Sequence, residues 1–289
     1  MLNTENILKK VRYIEIKSKG LSRHLFSGEY HSAFKGKGMS FSEVRNYQYG
    51  DDVRNLDWNV TARTGAPHVK VFEEERELTL MLMVDVSQSS FFGTQNAQKQ
   101  EIMAEVSAVL AFSAAQNNDK VGLLLFSDKV ETFIAPKKGK SHILYIIRTL
   151  IDFKPQNKST DLNVALAFFN TILKKSSICF ILSDFATSDY QKSLSITSKK
   201  HDVIGIKIND PLEEALPDVG LLKINDSESG EIIWLNTSDK KVQKSYKSHF
   251  LEQEKLFDEN FAKSVAQTIK IKTTSSYIHA LLQFFKNRP

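Results

Sequence analysis

The segment LTLMLMVDVSQS, residues 78–89, decides the fold. From Leu80 to Val84 every side chain is apolar, so both faces of an extended chain there require cover. Strands of that kind occur in mostly parallel sheets with helices packed on either side. The run then breaks into Asp85-x-Ser87-x-Ser89, three oxygen-bearing side chains at alternate positions. Alternate residues of an extended chain point the same way, so three oxygens converge in a loop that wraps a small ion. In open parallel sheets, ligands sit outside the carboxyl ends of the strands, where strand order reverses.

Two more segments repeat the design. The run ICFILS, residues 178–183, is followed by Asp184, and STDLNVAL, residues 159–166, sets Thr160 just ahead of a helix with Asp161 near its start. Between and beyond them strands and helices alternate. Residues 97–116 read as an amphipathic helix, 121–126 as an apolar strand and 130–134 as its partner. A helix capped by Ser141 is expected over 141–151, another over 190–198, and a strand over 202–208. Residues 219–235 read as a hairpin turning near Asn225–Gly230. Val242, Tyr246, Phe250, Leu256 and Phe261 mark the apolar stripe of a long helix within 238–269. A short strand at 269–272 and a helix at 277–285 close the chain. Upstream, Ile7, Val11 and Ile14 have helical spacing within 5–18, and glycines 28, 36, 38, 50 and 65 punctuate a stretch that reads as β-rich and irregular.

The totals suit a globular α/β protein. The chain has 289 residues, of which 41% are hydrophobic and 25% charged. A net charge of +5 is too mild to argue for nucleic acid, and the N-terminal basic cluster (Lys9, Lys10, Arg12, Lys17, Lys19, Arg23) lacks aromatics for stacking on bases. The single cysteine, Cys179, lies inside an apolar run and reads as a buried strand thiol in a reducing compartment. No signal-peptide pattern opens the chain, and its apolar runs fall well short of the ~20 residues a membrane helix needs. A cytoplasmic protein without membrane insertion is the expectation.

Asp85, Ser87, Ser89, Thr160 and Asp184 together make an all-oxygen donor set. Hard cations favour such donors; Mg²⁺ takes six oxygens and readily keeps its own waters, with Mn²⁺ or Ca²⁺ as substitutes. Three of the five donors are neutral hydroxyls, which leave the ion electron-poor and able to accept a carboxylate from a second protein.

That order, DxSxS, then Thr, then Asp, resembles the metal-dependent adhesion site of von Willebrand factor A domains. Upstream, SGEYHSAFKGKGMSFSEVRNYQYGDDVRNLDWNVTARTG and VKVFEEERELTLMLMVDVS resemble the bacterial family known as domain of unknown function 58, and the closing LLQFFKNR is similar to that family's usual end. The resemblance covers about residues 27–185, with GDDVRNLDW its most specific part. Two positions depart from the family pattern: Ser90 replaces a common Met, and Ser159 replaces the glycine that commonly precedes the Thr. The resemblance implies a von Willebrand factor A-like (Rossmann-type) α/β domain over 77–289, a mostly parallel sheet with helices on both faces. It implies an N-terminal helix and β-rich annex over 1–76. It also implies a non-enzymatic protein-binding role beside a MoxR-type AAA+ ATPase or that ATPase's client.

Other chemistries find less support. Asp51, Asp52, Arg54, Asp57 and Arg63 alternate in sign around Trp58, which suggests Asp–Arg pairs with a buried Trp58 at a seam, or else a second recognition or metal site. Lys138-Gly139-Lys140-Ser141 mimics the tail of a phosphate loop, but Ile134 stands where the leading glycine belongs. Gly36-x-Gly38 lacks its third glycine, because Phe41 occupies that place. The seven histidines never pair at ligand spacing, and His201 is the nearest by topology to Ser87, too remote for a serine hydrolase. The rival that remains is a Mg²⁺-dependent hydrolase or phosphotransferase with Asp85 as nucleophile, although no basic residue in these loops stands ready to clamp a phosphoryl group.

Overall fold

The computed structural model describes Tyr13 and residues 40–73, 78–87, 99–153, 159–187, 189–225 and 232–288. Ser89, Ser90, Gly28, Gly36, Gly38 and the hairpin turn at 226–231 lie outside the described residues, as does the helix expected over 5–18 apart from helical Tyr13. Contacts divide the chain into two units, Phe34–Leu78 and Met1–Ala33 with Thr79–Pro289.

In the smaller unit, strand β1 (Ser40–Asn46) pairs antiparallel with β2 (His68–Glu73). A single 3-10 turn, Val53–Asn55, and helix α1 (Trp58–Thr64) lie between them. The sign alternation of the sequence becomes two kinds of anchor. Arg45 grips Asp51 with two hydrogen bonds of 2.7 and 2.8 Å, and Arg54 pairs with Asp52 at 2.8 Å. Asp57 instead caps α1, accepting the Asn59 and Val60 amides, while Gly65 ends the helix at φ 73°. Trp58, expected to be buried, is 70% exposed.

The larger unit is built on a six-stranded sheet of order β10-β7-β6-β3-β4-β5. Its strands are β3 (Thr79–Asp85), β4 (Lys120–Phe126), β5 (Val130–Lys137), β6 (Ile178–Ser183), β7 (Asp202–Asn209) and β10 (Gln267–Lys272). All neighbours are parallel except β4 and β5. A separate antiparallel hairpin joins β8 (Leu221–Asn225) to β9 (Ile232–Asn236). The chain runs from β3 outward to β4 and β5, then returns to β6 on the other side of β3. Strand order therefore reverses between β3 and β6, and their carboxyl ends carry Asp85 and Asp184.

Helices cover both faces, as the unbroken apolar strands require. Met81, Met83, Cys179 and Ile181 point into one core layer with α4 (Leu162–Ile172), α5 (Gln191–Ser198) and α7 (Lys240–Lys263). Phe180 points the opposite way and meets Phe285 of α8 (Tyr277–Asn287), ring centroids 6.4 Å apart. On that side lie α2 (Lys99–Gln116) and α3 (Lys140–Asp152). Helix α2 is not amphipathic, as its sequence suggested: 13 of its 18 residues are buried, on all sides. Helix α3 starts from Gly139 at φ 103° with no side-chain cap, so Ser141 lies inside the first turn rather than capping it. In α7 the expected stripe stands at Val242, Tyr246, Phe250 and Phe261 but not at Leu256, which is exposed while Phe257 is buried.

The α7 face also explains a glycine. A Cβ on Gly205 of β7 would lie 2.3 Å from the Phe261 ring, so only glycine lets the helix approach this close.

Candidate functional site

Each expected ligand among the described residues is set by the end of a strand or the start of a helix. Asp85 closes β3, and its carboxylate is 1% exposed. One oxygen accepts the Ser87 amide at 2.9 Å, which curls the chain back just past the strand. The other accepts the Ser183 hydroxyl at 2.7 Å from the neighbouring strand β6. The Thr160 hydroxyl lies 3.4 Å from both Asp85 oxygens. Its loop is tied on two sides: the Asp161 amide donates to the Ser127 carbonyl at 2.9 Å, and the Thr187 hydroxyl donates to the Thr160 carbonyl at 2.7 Å. Ser159 therefore precedes a Thr whose loop is fixed by its neighbours.

Asp184 is aimed by strain and burial together. The next residue, Phe185, has φ 55°, a left-handed conformation costly for a bulky side chain, of order 1–3 kcal/mol. Its ring is buried against Phe257 and Phe261, with centroids at 4.8 and 5.3 Å. Burying a phenyl ring is worth about 2–3 kcal/mol, enough to hold the turn. The Phe185 amide donates to the Ser183 hydroxyl at 3.0 Å, so one serine both braces this turn and hydrogen-bonds Asp85.

Two charged residues at this edge were not singled out in the sequence. Lys99, at the start of α2, is 0% exposed, and its ammonium donates to Asp184 Oδ2 at 3.1 Å and to Glu213. Glu213 belongs to the one-turn helix α6 (Pro211–Glu214), where it completes a capping box by accepting the Asp210 amide at 2.9 Å. The signal was present in the text as Asp210-Pro-Leu-Glu213, a cap, an N1 proline and an N3 glutamate at a strand end. Lys99 had a fainter one, a cation one helical turn from Ile102 and Met103 on an apolar helix.

The electrostatics follow from crowding. Burial, and then the nearby charge of Asp184, push the Asp85 carboxyl up to about 6, against hydrogen bonds from Ser183 and Ser87. Burial alone would lower the Lys99 ammonium, but Asp184 and Glu213 reverse this and raise it. Asp184 and Glu213 share one buried ammonium here, whereas Asp85 is held by hydroxyls and a backbone amide. No three His, Cys, Asp or Glu side chains cluster as metal ligands among the described residues. The set at issue is of another kind, two carboxylates with hydroxyls of Ser87 and Thr160, and hard cations accept such donors. The residues fit a Mg²⁺-type ion.

His249 of α7 lines a cavity that Asp184 borders. One expectation about neighbouring chemistry is corrected. Lys99 and Lys207 supply basic residues at the same edge. His201, by contrast, precedes β7 at the opposite end of the sheet and bonds Ser177 at 2.8 Å.

Comparison with known proteins agrees with this architecture. A solved aerotolerance-related membrane protein from Bacteroides fragilis NCTC 9343 is 15% identical with TM-score 0.52, over 72% of this chain and 98% of that one. The SpRpn10 VWA domain aligns at TM-score 0.39 and 13% identity, over 74% of this chain and 96% of that domain. The fold is α/β with a mostly parallel central sheet and helices on both faces, as expected. The cytoplasmic expectation does not stand, because the same fold occurs in a membrane protein. No helix among the described residues is long and apolar enough to cross a membrane, and that observation does not assign a compartment. The uncharacterized protein Rv1480 of Mycobacterium tuberculosis (strain ATCC 25618 / H37Rv) is 31% identical over 225 residues, 77% of this chain and 71% of the relative. The family described as protein of unknown function DUF58 matches residues 43–256, and the chain belongs to that family.

Proposed function

We propose that the carboxyl edge of the sheet is a protein-binding site that works through a divalent cation, Mg²⁺ first and Mn²⁺ or Ca²⁺ as substitutes. Asp85, Ser87 and Thr160 would hold the ion, with Ser89 from the loop beyond the described residues. Asp184 already accepts from Lys99 and from the Ala186 amide at 3.2 Å, which suits a role through a water. The ion would supply a positive centre with one position left for an acidic side chain of a partner. By family resemblance, that partner is a MoxR-type AAA+ ATPase or a client it remodels. The observation that carries this reading is the gathering of Asp85, Thr160 and Asp184 at the strand-order reversal.

The chain's own residues do the positioning. Ser183 and the Ser87 amide fix the Asp85 carboxylate, Ser127 and Thr187 fix the Thr160 loop, and Phe185 fixes Asp184. Titration of Mg²⁺ or Mn²⁺ while following melting temperature tests the site. Wild type should gain stability and Asp85→Ala should not; equal gains would remove the cation from this edge.

A second reading has one observation in its favour. Lys99 and Lys207 provide the basic groups that a Mg²⁺-dependent phosphotransferase or hydrolase would want beside Asp85. Metal-dependent turnover of generic phosphatase or esterase substrates, lost in Ser87→Ala, would favour that reading over binding.

A further inference from the structure

Beside Asp184 opens a cavity of about 170 Å³, lined in part by Lys207, Glu213, Tyr246, Phe250 and Gln253. Lys207 is the unusual member. It belongs to β7, in register with Ser183, and the residue is 4% exposed. Among the described residues its ammonium has no hydrogen-bond or ion-pair partner. Instead it faces the rings of Phe257 and Phe250, 5.1 and 5.8 Å from their centroids. A buried ammonium packed on ring faces, with no carboxylate in direct contact among the described residues, lacks the close counter-ion that buried charges normally have. Burial accordingly lowers Lys207, opposed by the charges of Glu254, Asp184 and Asp258 and reinforced by Lys270.

The cavity limits what can fill the gap. Small-molecule pockets span about 300–1,000 Å³, so this one takes a single side chain and not a nucleotide or cofactor. Asp184 and Glu213 border it but share the Lys99 ammonium, so one further negative charge opposite Lys207 is repelled less than a dianion would be. The Phe250 ring offers an apolar wall for the methylenes of a longer acid. We propose that this cavity receives one Asp or Glu side chain of a protein partner, with the Lys207 ammonium as its counter-ion. The inference goes beyond the cation site and holds with or without a metal at Asp85.

The test uses the full chain, with lysine ε-carbons ¹³C-labelled and a chelator present so that no cation contributes. The Lys207 ε-methylene lies beside two rings, so its resonance should be displaced by ring currents and assigned by its absence from Lys207→Met. N-acetyl-glutamate amide should shift that resonance saturably, in the range of tens of millimolar, as one charge-assisted contact allows. N-acetyl-glutamine amide should not. Gln253→Glu, at the cavity wall, should weaken the glutamate response at least about tenfold by like-charge repulsion. A shift with both probes or with neither, or a response unchanged in Gln253→Glu, would leave Lys207 a buried lysine that takes no acidic side chain and overturn the proposal.

Discussion

Lys99 and Asp184, 85 positions apart in the chain, meet at 3.1 Å through a lysine whose side chain is entirely buried. The ammonium is shared with Glu213, so one cation from the start of α2 joins the loops that follow β6 and β7. Carboxylates gathered this closely repel one another, and Lys99 offsets part of that repulsion without occupying the Asp85 side of the edge.

Removing the ammonium should therefore cost stability. Lys99→Met leaves two carboxylates facing each other, and breaking a buried pair by losing one partner typically costs 3–5 kcal/mol. Glu213 retains 28% side-chain exposure, so about 2–4 kcal/mol is the expectation here. For a chain of this size that is roughly 5–15 °C in Tm. Millimolar Mg²⁺ should recover more stability in Lys99→Met than it adds to wild type. A melting curve within a degree of wild type would show that Lys99 does not hold this edge together.

Asp85→Asn should do the opposite in chelator at pH 7. The carboxyl is pushed up to about 6 from 3.8, so ionisation at neutral pH costs the folded state about 3 kcal/mol at most. Neutral asparagine avoids that cost but matches the Ser183 and Ser87 contacts less well, so a net gain of about 1–2 kcal/mol is expected. The same change should abolish the Mg²⁺-induced rise in Tm. A variant less stable than wild type without metal would mean that the Asp85 charge is compensated by something other than a cation.

The pH profile joins Asp85 to a residue at the far end of the sheet. His201 is 2% exposed, and burial followed by the Lys200 charge lowers it to about 4. Its unfolded form binds a proton near 6.5 while the folded form stays neutral, so stability is lost as pH falls from about 6.5 to 4, by up to about 3 kcal/mol. Asp85 behaves in reverse: its folded form binds the proton first, so stability is regained as pH falls from about 6 to 4. In chelator the two nearly cancel and wild-type stability should stay flat between pH 6.5 and 4. Asp85→Asn should unmask a steep acid-side loss, and His201→Gln should replace it with a rise. Parallel profiles for all three proteins would sink the assignment.

Much of this was legible because it is local. Continuous apolar runs such as Leu80–Val84 and Ile178–Leu182 declare strands buried on both faces, and the polar residues just past each run lie at the sheet's carboxyl edge. Asp85 and Asp184 followed from that, and Thr160 from its place just ahead of a helix. What escaped depends on partners distant in sequence. Lys99 reads as part of a polar face until α2 proves to be surrounded, and Ser183 reads as the last residue of a strand until its hydroxyl meets Asp85. Leu256 and Phe257 are adjacent, and only the approach of α7 to Gly205 decides which of them faces inward.

That approach carries the last prediction. A methyl group on Gly205 would need the space the Phe261 ring occupies, at 2.3 Å. Overpacking a core typically costs 1–3 kcal/mol, and a contact this short in a sheet interior belongs at or above the upper end. The ring cannot move alone: Phe261 packs against Phe257 at 4.7 Å and against Phe185, whose left-handed backbone directs Asp184. Gly205→Ala should therefore lower Tm by about 5–12 °C. It should also weaken the Mg²⁺ response, although the substitution lies on the buried face of β7 and touches no proposed ligand. Adding Phe261→Leu opens room for the methyl and should return most of the lost Tm, but Leu packs less fully against Phe185, so the Mg²⁺ response should return only in part. If Gly205→Ala loses stability while its Mg²⁺ response stays at the wild-type level, the aromatic cluster supports the fold without positioning Asp184.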